Sequence, residues 1–182
     1  MKLLRYGEPG MEKPGILDNE GNVRDLSLHC ADISSASLAN GLLDEISGLD
    51  IDSLPMVDAT VRIGPCVGGV GKMICIGLNY ADHAAEAGAE VPSEPILFSK
   101  AISAIVGPYD NLEIPRNSTH CDWEVELGVV IGKNVKYVDE VNALDYVAGY
   151  CTVNDVSERE FQIKRKGQWV KGKSHDTFGP LG

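Results

Sequence analysis

Asp122-Trp123-Glu124-Val125-Glu126-Leu127 sets three carboxylates at alternate positions, just ahead of the apolar run Gly128-Val129-Val130-Ile131. On a strand successive side chains face opposite ways, so Asp122, Glu124 and Glu126 share one face while Trp123, Val125 and Leu127 share the other. With a rise of about 3.3 Å per residue, Glu124 and Glu126 stand roughly 6–7 Å apart. An edge strand with one solvated face would carry the same pattern. The continuation, apolar on both faces, reads instead as a buried strand. Two carboxylates about 5 Å apart in a half-buried setting repel by roughly 3 kcal/mol at an effective dielectric near 20, and a bound cation reverses that sign.

Asp155 ends the run Tyr150-Cys151-Thr152-Val153-Asn154, just before a polar segment. It reads equally as a helix N-cap, a common position for aspartate, or as a third carboxylate of the same site. Three carboxylates without His or Cys suit a hard, oxygen-loving ion, Mg²⁺ or Mn²⁺, better than Zn²⁺. His83 and Glu86 stand three apart in an alanine-rich segment. On a helix such side chains are neighbours, so the carboxylate can orient and charge-stabilise the imidazole. That suits a general base acting on water, although helical His–Glu pairs also decorate ordinary surfaces. His29, His120 and His175 have no comparable partner nearby in sequence, and a zinc site at His120-Cys121-Asp122 would lack a second ligand cluster. Lys173 lies in the polar turn Lys171-Gly172-Lys173-Ser174, where lysines are usually solvated.

Short elements must position these groups. Residues 2–7, 15–18 and 23–27 read as strands around the turn Asn19-Glu20-Gly21-Asn22. Residues 31–47 carry Ser/Asp start signals and apolar residues at helical spacing. Residues 61–65 and 72–78 look like strands separated by the glycine-rich 66–71. A short helix follows over 79–90, with Asn79 as its N-cap and Pro92 and Pro95 ending it. Residues 95–100 form a compact apolar strand, 110–115 a loop entering another, and 122–132 the clearest strand of the chain. Residues 139–150 begin helical and pass into a strand at 150–155; 157–167 is a short basic helix and 168–182 is loop-rich. Many short strands with scattered helices give an α+β, mainly β, domain rather than a doubly wound sheet. A small N-terminal module is expected over 1–66, ahead of a catalytic domain at 67–182.

With 182 residues, 43% hydrophobic and 24% charged, the chain is ordinary globular material. Its formal net charge of −11 argues against a nucleic-acid partner, which needs clustered Lys and Arg. No stretch approaches the roughly 20 apolar residues needed to span a bilayer, and the opening Met1-Lys2-Leu3-Leu4-Arg5 has no signal-like apolar run behind it. A cytoplasmic protein with no membrane association is the expectation. The five cysteines are odd in number and widely spread, which fits neither a disulfide framework nor a zinc finger. The glycine-rich run fails as a phosphate-binding loop, because Cys66 and Met73 occupy the positions where Gly and Ser or Thr are required.

Taken in order, GLNYADHAAE, EPILFSK, DWEVELGVVIGK, DYVAGYCTVNDVSERE and KGKSHDTFGP strongly resemble the fumarylacetoacetate hydrolase family, from about residue 72 to the end. The opening LLRYGEPG and KPGILD resemble bacterial members tied to sugar-acid breakdown, some labelled ureidoglycolate lyases. The resemblance implies a mixed β-sandwich roll that usually dimerises. It also implies metal ligands at Glu124, Glu126 and Asp155, a catalytic dyad at His83 and Glu86, a substrate-facing Lys173, and substrate contacts from Arg159 and Gln162. A further carboxylate of the founding enzyme falls at Ile76 here, so three protein carboxylates are expected. Family members continue past the position of Gly182 through further strands and a substrate-covering loop, so the chain is expected to be a piece of a longer protein whose C-terminal part is missing here.

What the resemblance implies chemically follows from ligand count. Mg²⁺ prefers about six oxygens, so three carboxylates leave roughly three positions for a small 2-oxo acid and water. The expected reaction is C–C hydrolysis of an acylpyruvate-type or 2,4-diketo sugar acid. The same site without an attacking water gives an oxaloacetate-type decarboxylase, an isomerase or a ureidoglycolate lyase. A metal-stabilised binding module without turnover is the non-enzyme alternative.

Overall fold

The computed structural model describes residues 1–86 and 88–182. The chain opens with strands β1 (Leu3–Tyr6), β2 (Lys13–Leu17) and β3 (Val23–Asp25), then helices α1 (Ser35–Ala39) and α2 (Leu42–Ile46), then β4 (Ile63–Gly64). These strands form one antiparallel sheet in the order β3-β2-β1-β4. The β2–β3 turn is closed by Asp18, whose carboxylate accepts the N–H groups of Glu20 and Asn22 at 3.0 and 2.8 Å and Nε of Arg24 at 2.9 Å. Burial alone would push the Asp18 carboxyl up; the Asn22 and Arg24 hydrogen bonds outweigh it and hold the pKa down at about 2.

The helical stretch over residues 31–47 is two helices rather than one. Ser34 opens α1 with a reciprocal cap to Ser37, and Gly41, at φ +91°, breaks the run before α2. Both helices bury their apolar side chains: Leu38, Leu42 and Ile46 join Ile16, Leu26, Ile33, Leu54 and Val67 in one core. Val153 and Leu181, far along the chain, complete that core. The glycine-rich run docks here too, with Gly68 donating to Ile33 O at 2.7 Å.

The remaining elements are β5 (Met73–Gly77), α3 (Ala81–Glu86), β6 (Ile96–Lys100), β7 (Ile105–Val106), β8 (Cys121–Asp122), β9 (Val125–Ile131), β10 (Val147–Asn154), β11 (Ser157–Glu158), α4 (Val170–Lys173) and β12 (Gly179–Pro180). Antiparallel pairs form between β5 and β6, β9 and β10, and β8 and β11, while β12 runs parallel to β7. Short strands outnumber helical turns, the mixed strand-rich roll expected of the sequence.

Three further expectations change. The strand over 122–132 is interrupted: Trp123 and Glu124 fall between β8 and β9, where the pairing partner switches from β11 to β10. The gap stays tied, because Asp155 N donates to Glu124 O at 2.9 Å and Glu124 N to Asn154 Oδ1 at 3.2 Å. The apolar outer face of β9 is also not covered by the described residues: Val125 and Leu127 are 68% and 63% exposed, whereas Glu126 and Val130 point to the more enclosed side. Finally, Tyr80 rather than Asn79 takes the N-cap place of α3, its carbonyl accepting Ala84 N–H at 3.1 Å. Among the described residues no helix is long and apolar enough to cross a membrane.

Candidate active site

Lys173 is seated by the glycine before it. A Cβ at Gly172 would stand 2.4 Å from Glu158 O and 2.6 Å from Gln162 N, so only glycine lets α4 lie this close to β11 and the π-helical turn Glu160–Lys164. Lys173 therefore lies at the end of a one-turn helix and is 2% exposed, not solvated in a loop. Its ammonium donates to Asp155 Oδ2 at 2.7 Å and to Glu124 Oε2 at 2.9 Å, and lies 4.9 Å from the Phe98 ring centroid. The N-cap reading of Asp155 falls away, because its carboxylate is spent on cations.

The second cation on Asp155 is Lys100, which no motif in the sequence singled out. Its Nζ donates to Asp155 Oδ1 at 2.6 Å and to Val156 O at 3.0 Å. Burial pushes the Lys100 ammonium pKa down, against the pull of Asp155. Burial would likewise raise Asp155, but Lys100 and Lys173 outweigh it and hold the carboxyl low. The signal that could have found Lys100 is its phase on β6: Ile96, Phe98 and Lys100 share the inward face of an otherwise apolar strand.

Arg159 closes the other side of Glu124. It pairs with Glu124, bonds Asp122 Oδ2 at 2.7 and 2.9 Å, and donates to Gln162 Oε1 at 3.1 Å. Next to it Glu158, fully buried, accepts from Phe161 N at 2.7 Å, His120 N at 2.9 Å, Thr119 N at 3.1 Å and Ser118 Oγ at 3.2 Å. Burial would raise the Glu158 carboxyl, yet these donors hold it low, so an ionised group clamps the 118–120 loop beneath Arg159.

Glu126 is the third carboxylate of the group. Burial, then the charges of Glu124 and Asp155, push its pKa up, while the Tyr80 hydroxyl opposes that rise. An edge strand with a solvated carboxylate face does not describe this arrangement, since Glu124 and Glu126 lie on the more enclosed side. A cleft of about 1270 Å³ opens beside Glu126 and Tyr80, walled by Val125, Val130, Cys151 and Ile33.

The structure thus brings together Glu124, Glu126, Asp155, Lys173, Arg159 and Gln162, with Lys100 added. It does not bring in His83 and Glu86. Both are exposed on α3, with no hydrogen bond or ion pair between their side chains. His120 bonds Thr119 Oγ1 through Nδ1 at 2.7 Å and Asp122 is committed to Arg159, so no zinc site forms there.

The donor set is all oxygen, so these residue types suit a hard divalent ion in chemistry. Among the described residues, however, no three His, Cys, Asp or Glu side chains converge closely enough to hold one. Lys173 and Arg159 take up the Glu124 oxygens instead.

Residues 72–182 match the fumarylacetoacetate (FAA) hydrolase C-terminal family. A Burkholderia multivorans protein, provisionally named a hydrolase, is 63% identical over all 182 residues, and the chain spans 64% of its length. Among solved structures, fumarylacetoacetate hydrolase from Exiguobacterium antarcticum superposes with a TM-score of 0.78 at 32% identity, covering 100% of this chain and 65% of that one. A 2-hydroxyhepta-2,4-diene-1,7-dioate isomerase from Mycobacterium marinum gives 0.72 at 28%, covering 100% and 64%. With the motifs in order, the strand-rich roll in common and the family match over more than half its length, this chain belongs to the fumarylacetoacetate hydrolase family.

Proposed function

We propose that the protein containing this chain is a divalent-metal-dependent hydrolase that cleaves a C–C bond in an acylpyruvate-type or 2,4-diketo sugar acid. One observation carries the proposal: a buried ammonium, Lys173, is shared by Glu124 and Asp155. A buried lysine paired with two carboxylates is costly to build for structure alone and is typical of reaction sites.

Glu124, Glu126 and Asp155 would hold Mg²⁺ or Mn²⁺, which when bound supplies Lewis acidity toward the carboxylate and keto oxygens of a 2-oxo acid. Arg159 and Gln162 orient the substrate's polar end. His83, which Glu86 would orient once the two side chains meet, would remove a proton from water as that water attacks the distal carbonyl. The C–C bond then breaks and its electron pair passes into the enolate of the 2-oxo fragment. Lys173 stabilises that enolate oxygen and a proton returns to carbon. A homodimer is the proposed assembly.

An isomerase is the second reading, favoured by two facts. His83 stands outside the assembled cluster, and three of the solved relatives, from Mycobacterium abscessus, Mycobacterium smegmatis and Mycobacterium marinum, carry isomerase names. Proton transfer through the buried lysines needs no attacking water. Incubating the full-length protein with acylpyruvates, diketo sugar acids and oxaloacetate in ¹⁸O-labelled water separates the readings. Hydrolysis gives two fragments, one with ¹⁸O in its new carboxylate. Isomerisation gives one product of the substrate's composition, with no label beyond the keto-oxygen exchange seen without enzyme, and decarboxylation gives CO₂.

A further inference from the structure

We propose that Tyr80 is a positioning residue, whose hydroxyl latches α3, and with it His83, onto the carboxylate strand β9. The inference rests on the reading of His83 as the general base. α3 has little to hold it: of its six residues only Ala84 is buried. The connection from β5 adds strain, because Leu78 adopts φ +51°, a left-handed conformation that costs a non-glycine residue on the order of 1–3 kcal/mol. A helix entered through such a turn needs a contact beyond it to fix its direction.

Tyr80 supplies that contact. Its carbonyl accepts the first helical N–H, that of Ala84, so its backbone is rigidly part of the helix start. Its hydroxyl reaches β9, where it accepts Leu127 N–H at 3.4 Å. Among the described residues this is the side-chain hydrogen bond that joins 78–86 to β9. Positions 80, 83 and 86 repeat every three residues, so Tyr80, His83 and Glu86 share one side of the helix. The side of α3 that touches β9 is therefore the side that presents the proposed base. One hydroxyl ties the strand that carries Glu126 to the helix that carries the imidazole.

The test is Tyr80→Phe in the full-length protein, which keeps the ring and removes only the hydroxyl and its bond to Leu127 N–H. Hydrogen–deuterium exchange over residues 81–86, and at the Leu127 amide that loses its acceptor, should accelerate about fivefold, the loss of one modest hydrogen bond, while exchange over the rest of β9 and the melting temperature stay at parent values. In an active parent, kcat should fall while KM stays within about twofold. Unchanged exchange over 81–86 overturns the proposal, as does acceleration spread over the rest of β9 and the core, which marks a merely structural role. Faster local exchange with an unchanged kcat also overturns it. A parent inactive on every 2-oxo acid tested counts against the reaction reading instead, and exchange over 81–86 still decides the latch.

Discussion

Lys173 and His83 are assigned to the same reaction, yet their surroundings are opposites. Lys173 is 2% exposed, with two carboxylate partners, an aromatic face beside it and a glycine cut to fit its helix. His83 stands on an exposed helix of six residues, and its side chain has no hydrogen-bond partner among the described residues. The contrast follows from physical cost. A buried charge must be matched by folding, because leaving it unpaired costs several kcal/mol. An exposed imidazole is solvated and costs nothing to leave free, so the fold pairs Lys173 with two carboxylates while the proposed base stays in water.

Substitutions should separate the two halves by what they damage. Lys100→Met removes one of the two cations on Asp155 and should destabilise the protein by about 3–5 kcal/mol, the usual result of breaking a buried pair; urea unfolding measures it, and an unchanged midpoint would erase the contrast. His83→Ala should do the reverse: stability and Mn²⁺ affinity held, with turnover of the cleaved substrate falling about 10²–10⁴-fold. Loss of metal together with rate would make His83 a ligand and end its assignment as base. Gly172→Ala should cost about 1–3 kcal/mol by overpacking α4 against Glu158 and Gln162, with a loss of rate that tracks the displaced Lys173.

The smallest effect lies away from both halves. The folded Asp18 carboxyl, at about 2, sits below its ordinary 3.8, so its stabilisation is present above that ordinary value and is lost as pH falls toward 2. Asp18→Asn should therefore be less stable than the parent near neutral pH, with the gap closing between pH 4 and 2 in thermal melts. A gap independent of pH would mean that the turn's stability comes from shape rather than charge.

Much of this molecule was legible in sequence, for local reasons. The turn at 19–22, the strands around it and the carboxylate alternation of Glu124 and Glu126 rest on turn chemistry and a period of two, which survive in the fold. What escaped was tertiary. The strand break at Trp123 and Glu124 comes from a switch of partner strand, which no window of sequence contains. Lys100 closes a segment that reads only as a compact apolar strand, and its meaning appears with Asp155, 55 residues away. Lys173 looked solvated because nothing local shows that Gly172 brings its helix against β11. The split helix at Gly41 was locally visible but weak, since one glycine inside a helical pattern does not always break it.

The most direct test concerns the metal. The full-length protein is stripped with EDTA, assayed on its best 2-oxo acid substrate, and assayed again after Mg²⁺ or Mn²⁺ is restored, with Mn²⁺ binding by Glu126→Gln measured alongside. Three carboxylates holding one ion predict that turnover vanishes on stripping and returns with the metal, and that the Gln variant binds Mn²⁺ more weakly than the parent. Full turnover after EDTA, or Mn²⁺ binding by Glu126→Gln equal to the parent's, would contradict the account.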